Sequence, residues 1–182
     1  MLLLLTGKEF VIINNQTETI AKIDNIQFAP PSSKDGAAMW KLVNRSTLDE
    51  NSAYKYIMMS SYFSKTCVVA KHENQLVGFI TGFVPPEQTD TIFVWQIGVD
   101  PDFQGQGIAS KLLQALLDQQ KSNQIRFVEA TITPSNKASQ TLFKKFARKH
   151  QTDCLIQPFF TEDLFPDNSF EEELKFRIGP ID

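Results

Sequence analysis

The chain has few of the residues that build metal centres and disulfide frameworks: two cysteines and two histidines in 182 residues. Cys67 and Cys154 lack both a disulfide pattern and a metal-ligand spacing, and read as buried free thiols. His72 sits in the turn-like Lys71-His72-Glu73-Asn74 and His150 follows a helical pattern, so both read as surface residues and no metal is expected. Neither charge dominates. Eighteen Lys and Arg against 21 Asp and Glu leave a net charge of −3, which gives no broad attraction to nucleic acid or an anionic membrane. A small local basic patch stays compatible with a phosphorylated cofactor. Long hydrophobic runs are missing as well. Met1-Leu2-Leu3-Leu4-Leu5 is too short for a signal-peptide core and has no basic flank, and no later run reaches membrane-spanning length. The expectation is a soluble, cytoplasmic protein.

What is present is an ordinary globular composition enriched in Phe, and a length that suits one domain with a substantial core. Residues up to Asn25 read as an extension with weak structure signals, and 26–182 as the domain. Ile26 to Phe28 is a short strand candidate. Asp35 to Arg45 reads as a first helix with a serine cap nearby. Tyr54, Ile57, Met58, Ser61 and Tyr62 recur at helical spacing and predict a second helix from Ser52 to Phe63. Thr66 to Ala70 and Leu76 to Val84 form a β-hairpin around a polar turn, and Thr91 to Val99 is a further strand.

The helix that follows carries Ile108, Leu112, Leu113, Leu116 and Leu117 on one face. Phe127 to Thr133 is a strand. A loop at Pro134-Ser135-Asn136 caps a helix running to His150, with Ala138, Leu142, Phe143, Phe146 and Ala147 inward. Pro158 to Phe170 reads as irregular, and Leu174, Phe176 and Ile178 alternate in a last strand. The order β-α-α-β-β-β-α-β-α-β predicts a mixed α/β fold with helices on both faces of a mixed sheet.

The most informative stretch is Thr91 to Ser110. An apolar strand ends in Asp100-Pro101 and passes through Gln104-Gly105-Gln106-Gly107-Ile108-Ala109 into a helix. A strand that delivers a glycine turn to a helix N-terminus can hold phosphate, because backbone N–H groups and the helix dipole favour negative charge. A Walker loop is a poor fit, since no Lys-Ser/Thr follows Gly107. A Rossmann fingerprint is also poor, since Ser110 stands at its third glycine and the turn lies mid-chain.

Gln104-x-x-Gly107-x-Ala109 after Ile97-Gly98-Val99-Asp100-Pro101 resembles instead the acetyl-CoA signature of GNAT-type N-acetyltransferases. Asn136, Ala138 and Leu142-Phe143 match that family's second motif. The resemblance implies the GNAT fold, with a mixed twisted sheet, and acetyl-CoA as co-substrate. It implies that Gln104, Gly105, Gln106, Gly107, Ile108, Ala109 and Ser110 hold the CoA pyrophosphate. It also implies that Ile97, Gly98 and Val99 on a bulged strand bind the pantetheine and polarise the thioester carbonyl, and that Asn136, Ala138 and Phe143 complete the site.

Four further segments narrow the resemblance: Leu48-Asp49-Glu50-Asn51-Ser52, Thr66 to Ala70, Phe93-Val94-Trp95-Gln96 and Thr131 to Ser139. Together with Leu164-Phe165-Pro166 and Glu171-Glu172-Glu173-Leu174, they are similar to the L-2,4-diaminobutyrate acetyltransferases of ectoine synthesis. Members of that family acetylate the γ-amine of L-2,4-diaminobutyrate and usually act as homodimers. Such a substrate needs carboxylates for its ammonium groups and donors for its carboxylate. Asp49, Glu171, Glu172 and Glu173 are the candidate carboxylates, and Trp95 is a candidate aromatic wall or cation–π face. Each also has a plain alternative: a helix cap for Asp49, solvated charge for the glutamates, core for Trp95.

Two departures from the wider family bear on mechanism. Trp95 stands where many members carry a glutamate base, and Phe143 where many carry a tyrosine acid. The base is therefore expected to be Asp49 or Glu173, and Tyr54, Tyr56 and Tyr62 are candidate donors to the thiolate. The carboxylates are expected to fix the α-amino-acid end of the substrate and leave the γ-amine facing the thioester. An acetyltransferase for another small amine, such as a polyamine or an aminoglycoside, remains open, as does a non-catalytic acyl-CoA-binding module.

Overall fold

A computed structural model describes residues 25–46, 48, 51–166 and 170–181. The expected N-terminal extension, Asn25 excepted, and the candidate Asp49 lie outside them. The strands are β1 (Ile26–Ala29), β2 (Cys67–His72), β3 (Gln75–Phe83), β4 (Thr91–Val99), β5 (Phe127–Ile132), β6 (Cys154–Phe160) and β7 (Glu173–Ile178). The helices are α1 (Gly36–Val43), α2 (Ala53–Tyr62), α3 (Ile108–Gln119) and α4 (Lys137–Lys149). The seven strands form one sheet in the order β1-β2-β3-β4-β5-β7-β6. Every pair is antiparallel except β4 with β5, which is parallel.

The sheet's centre is covered on both faces, which is why β2 and β3 read as nearly unbroken apolar runs. Val68, Ala70, Val77 and Ile80 join the larger core beneath α3 and α4. Val69, Leu76 and Phe79, their alternating neighbours, pack with Met39, Leu42 and Val43 of α1 and Tyr56 of α2. Glu73 and Asn74 close the β2–β3 hairpin with positive φ of 47° and 67°, as a tight two-residue hairpin turn requires. Before α1, the Asp35 carboxylate accepts from the Ser32 backbone N (2.8 Å) and hydroxyl (3.0 Å) and pairs with Lys71 (2.6 Å). The serine cap therefore ties the start of α1 to β2.

Five expectations are corrected. β6 falls where irregular chain was expected to begin at Pro158. It is an edge strand hydrogen-bonded only to β7, largely exposed, so it carries no inward alternation, and Pro158 suits an edge position. The α2 helix forms, but it buries Tyr56, Met59 and Ser60, while Tyr54 (68% exposed) and Tyr62 (79%) face out. Apolar residues on both sides of that helix made the spacing ambiguous. Ala138 is exposed in the first turn of α4 and Leu142 is half-buried; Phe143, Phe146 and Ala147 carry the inward stripe. His150 is not a plain surface residue, for it lies 4.5 Å from the Phe146 ring and bonds Gln114 at 3.1 Å. Burial, helped by Lys149, holds its pKa below the usual imidazole value. Cys67 is buried as expected, but Cys154 is only half-buried.

Candidate active site

The site begins where two parallel strands part. β4 and β5 pair only over Thr91–Phe93 and Phe127–Glu129. Across β4, Thr81 pairs with Gln96 and Gly82 with Val94, so Trp95 is the extra residue of a β-bulge. Bulges add twist, and beyond this one the strands diverge. A cleft of about 820 Å³ opens there, walled by Val94 to Ile97 on one side and Ala130 to Thr133 on the other. Residues 94–99 of β4 thus present an edge to the cleft with no β5 ladder. An extended ligand can add to such an edge as a strand would.

The turn after β4 is held from outside. Asp100 is buried; one carboxylate oxygen accepts from the Asp102 backbone N (3.1 Å) and the other from Arg45 (2.8 Å). The Gln104 side-chain amide donates to the Val99 carbonyl at 3.3 Å. Gly105 and Gly107 both take φ of +75°, the left-handed region that favours glycine, and a Cβ on either would meet nothing within 4 Å. α3 starts immediately, so its first-turn N–H groups, which have no intrahelical acceptors, face the turn. Gln104 to Ser110 contains no carboxylate to repel an anion. The Gln106 side-chain oxygen is buried there without a hydrogen-bond partner among the described residues. These residues fit a pyrophosphate followed by an extended amide chain, the two parts of CoA expected from the motif.

The comparisons with known proteins agree. The model of the Acetyltransferase (GNAT) family matches residues 36–147. The chain belongs to this family. It is 57% identical over 165 residues to the L-2,4-diaminobutyric acid acetyltransferase of Marinococcus halophilus, covering 91% of this chain and 96% of that one. It is also 57% identical over 173 residues to the enzyme of the same name from Halalkalibacterium halodurans, covering 93% and 92%. Among solved structures, it resembles the diaminobutyrate acetyltransferase of Paenibacillus lautus in complex with L-2,4-diaminobutyric acid and coenzyme A. That match has a TM-score of 0.81 and 37% identity, covering 85% of this chain and 95% of that one.

In this GNAT member the expected donor residues fall on both sides of the parting. Ile97 lines the cleft. Gly98 is buried, tight against the Phe79 and Leu42 layer, so only its backbone can serve. The Asn136 side chain accepts from the Ser139 backbone N at 3.0 Å and caps α4 while lining the cleft. Phe143, fully buried, forms part of the cleft wall and has no proton to donate.

The acceptor half is built from side chains on separate elements. Trp95 is half exposed, and the Lys55 ammonium of α2 sits 3.9 Å from its ring centre, so one cation–π face is already taken. Gln96 accepts from the Tyr56 hydroxyl at 2.9 Å and from Lys55 at 3.4 Å. Of the three candidate tyrosines none lines the cleft, but the Tyr56 hydroxyl bonds the cleft residue Gln96. At the crotch of the strands Glu129 is buried against Arg177 (2.5 Å). Arg177 also donates to Thr91 (3.3 Å) and lies 3.8 Å over the Phe127 ring.

The glutamate run divides in three. Glu173 starts β7 and lines the cleft. Glu171 is exposed and accepts from the Ser135 backbone N (3.1 Å), so it braces the loop before α4. Glu172 points the other way, beside Thr161, Glu162 and Asp163, because alternate residues of an extended chain face opposite sides. Glu171 and Glu172, expected as substrate contacts, do not line the cleft.

Sequence reasoning missed Lys175, Glu129 and the aromatic wall of Phe159, Phe160 and Phe165, all of which line the cleft. One signal was available: a lone glutamate in the apolar strand Val128-Glu129-Ala130 asks for a buried partner.

Proposed function

We propose that this acetyltransferase moves the acetyl group of acetyl-CoA to the γ-amine of L-2,4-diaminobutyrate, the acetylation step of ectoine synthesis. The observation that carries the reading is the cleft itself. A bulged, unpaired β4 edge on one side meets a charged, aromatic-walled half on the other. The relatives named above act on diaminobutyrate, and the Paenibacillus lautus complex holds both that substrate and coenzyme A.

The chemistry follows from the residues. The amine nitrogen forms a bond to the acetyl carbon, the C–S bond breaks, and CoA leaves as thiolate. A backbone N–H at the β4 bulge stabilises the oxyanion that develops on the thioester oxygen. The γ-ammonium has an intrinsic pKa near 10, so it must lose a proton first. Glu173 takes that proton through a water. Glu129 also lies in the cleft, but its charge is committed to Arg177. Asp49, which in sequence follows the cleft residue Leu48 and precedes the cleft residue Asn51 by two, holds the α-ammonium. Trp95 walls the acceptor, and Ile97 to Val99, Gln104 to Ser110, Asn136 and Phe143 hold CoA. Phe143 cannot protonate the thiolate. With a thiol pKa near 8.5, departure as the anion costs little near neutral pH, so solvent suffices.

We also place the enzyme in the cytoplasm as a homodimer. No described helix is long and apolar enough to cross a membrane. The exposed Leu155 and Ile156 of edge strand β6, with Leu164 beyond it, offer apolar surface for a second copy.

The test is turnover of purified protein with acetyl-CoA and a panel of amines, followed by thiol release, with the product resolved by NMR. Diaminobutyrate should be preferred over polyamines and aminoglycosides and acetylated at the γ-nitrogen. Comparable kcat/KM on a polyamine would overturn the substrate, and CoA binding without turnover on any amine would overturn the enzyme. Light scattering reads the dimer.

A further inference from the structure

We infer that Lys175 holds the substrate's carboxylate, and that this anchor selects which amine is acetylated; this rests on the diaminobutyrate reading above. Among the described residues, two cations line the cleft, Lys55 and Lys175. Lys55 is engaged by the Trp95 ring and Gln96. Lys175 has no carboxylate within ion-pair distance among the described residues; its ammonium rests over the Phe159 ring, 4.3 Å from the centre. An aromatic face orients an ammonium without neutralising it, so its N–H donors stay available to an anion.

Register places this cation at the reacting level. Lys175 pairs with Thr131 of β5, two residues beyond Glu129, the last β5 residue paired with β4. It therefore stands level with the bulge that presents Trp95. Glu173 and Lys175 share one face of β7, their Cα atoms roughly 6–7 Å apart along the strand. In diaminobutyrate four bonds separate the carboxylate carbon from the γ-nitrogen, an extended span of about 5 Å at 1.5 Å per bond less the bends. Only two bonds separate it from the α-nitrogen, about 2.5 Å on the same geometry. A carboxylate anchored on Lys175 keeps the α-nitrogen beside the anchor and leaves the γ-nitrogen as the end free to extend toward the thioester.

The test uses the full-length enzyme and four acceptors: diaminobutyrate, its carboxamide, 1,3-diaminopropane, which lacks the carboxyl group, and ornithine, one methylene longer. For the wild type, the carboxamide and 1,3-diaminopropane should show KM values about 10- to 100-fold above diaminobutyrate, the scale of a lost charge-assisted hydrogen bond. Ornithine should react with a lower kcat. In Lys175→Met the KM for diaminobutyrate should rise to that of 1,3-diaminopropane while the KM for 1,3-diaminopropane moves little, and Lys175→Arg should restore most of the gap. A merely structural role would raise both alike.

A wild type that binds the carboxamide as well as diaminobutyrate overturns the inference, and that outcome needs no variant to fold. Retained discrimination in Lys175→Met overturns it too. A wild type that does not turn over diaminobutyrate at all overturns instead the reading on which it rests.

Discussion

The two halves of the cleft are made in different ways. The donor half is mainly one continuous piece of chain, β4 beyond the bulge, the glycine turn and α3, with Asn136 and Phe143 of the α4 region beside it, and it works chiefly through backbone: an unpaired strand edge, two left-handed glycines and helix N–H groups. The acceptor half is assembled from the β4 bulge, α2, β5, β6 and β7, and it works through side chains: Trp95, Glu173, Lys175 and the ring wall. Backbone recognition suits a ligand that is always the same, here CoA. Side-chain recognition can be changed one residue at a time, which suits the acceptor. If this division is right, changes in one half should leave the other half's ligand alone.

The largest effect should come from the acceptor half. Glu173→Gln removes the proposed proton acceptor, and kcat should fall by about 100-fold or more with the KM for acetyl-CoA unchanged. Steady-state rates against both substrates check this; a kcat within a fewfold of wild type would return the role to Asp49. Next is the donor half. Gly107→Val forces a β-branched residue into φ of +75°. It should cost about 1–2 kcal/mol or more locally and raise the KM for acetyl-CoA while that for diaminobutyrate holds. A rise confined to diaminobutyrate would break the comparison.

Smaller effects lie outside both halves. Asp35→Ala removes the cap of α1 and the Lys71 partner, and should lower stability by about 1–2 kcal/mol at neutral pH. Burial alone would push the Asp35 carboxyl up, but the Lys71 ammonium and the Ser32 donors outweigh it and hold the pKa below its ordinary value. A depressed carboxyl stabilises the fold fully above the unfolded value, near 3.9, and the contribution is lost as pH falls through the lower folded value. The gap between wild type and variant in urea melts should therefore close in acid. The smallest effect is chemical. Burial raises the Cys67 thiol to about 11, so little thiolate exists at pH 8. A disulfide reagent should label the half-buried Cys154 first and reach Cys67 only on unfolding; fast labelling of Cys67 would contradict its burial.

The same division explains what could be read from the sequence. The donor half was legible because its parts are neighbours: Gln104, Gly105 and Gly107 follow the strand that they serve, and β4 forms over the predicted residues. Trp95 was legible as the odd residue of that strand, though not the Lys55 ammonium against it, which comes from α2 forty residues away. Glu173 was legible as a candidate base, but that it is the one of the three consecutive glutamates lining the cleft comes from the structure; Glu172, one residue away, turns to the other face of the strand. β6 stayed hidden because an exposed edge strand needs no alternating pattern. The outward face of α2 misled because Tyr54, Ile57 and Tyr62 are apolar enough to look inward.

The division is tested most directly by titrating coenzyme A into the doubly substituted Glu173→Gln/Lys175→Met protein and comparing its Kd with wild type. The account predicts a Kd unchanged within about the additivity error of independent sites, roughly 0.5 kcal/mol or twofold, in a protein that no longer turns over. A tenfold weaker Kd would contradict it, because the two charges of β7 would then belong to the cofactor's half of the cleft and not to the acceptor's.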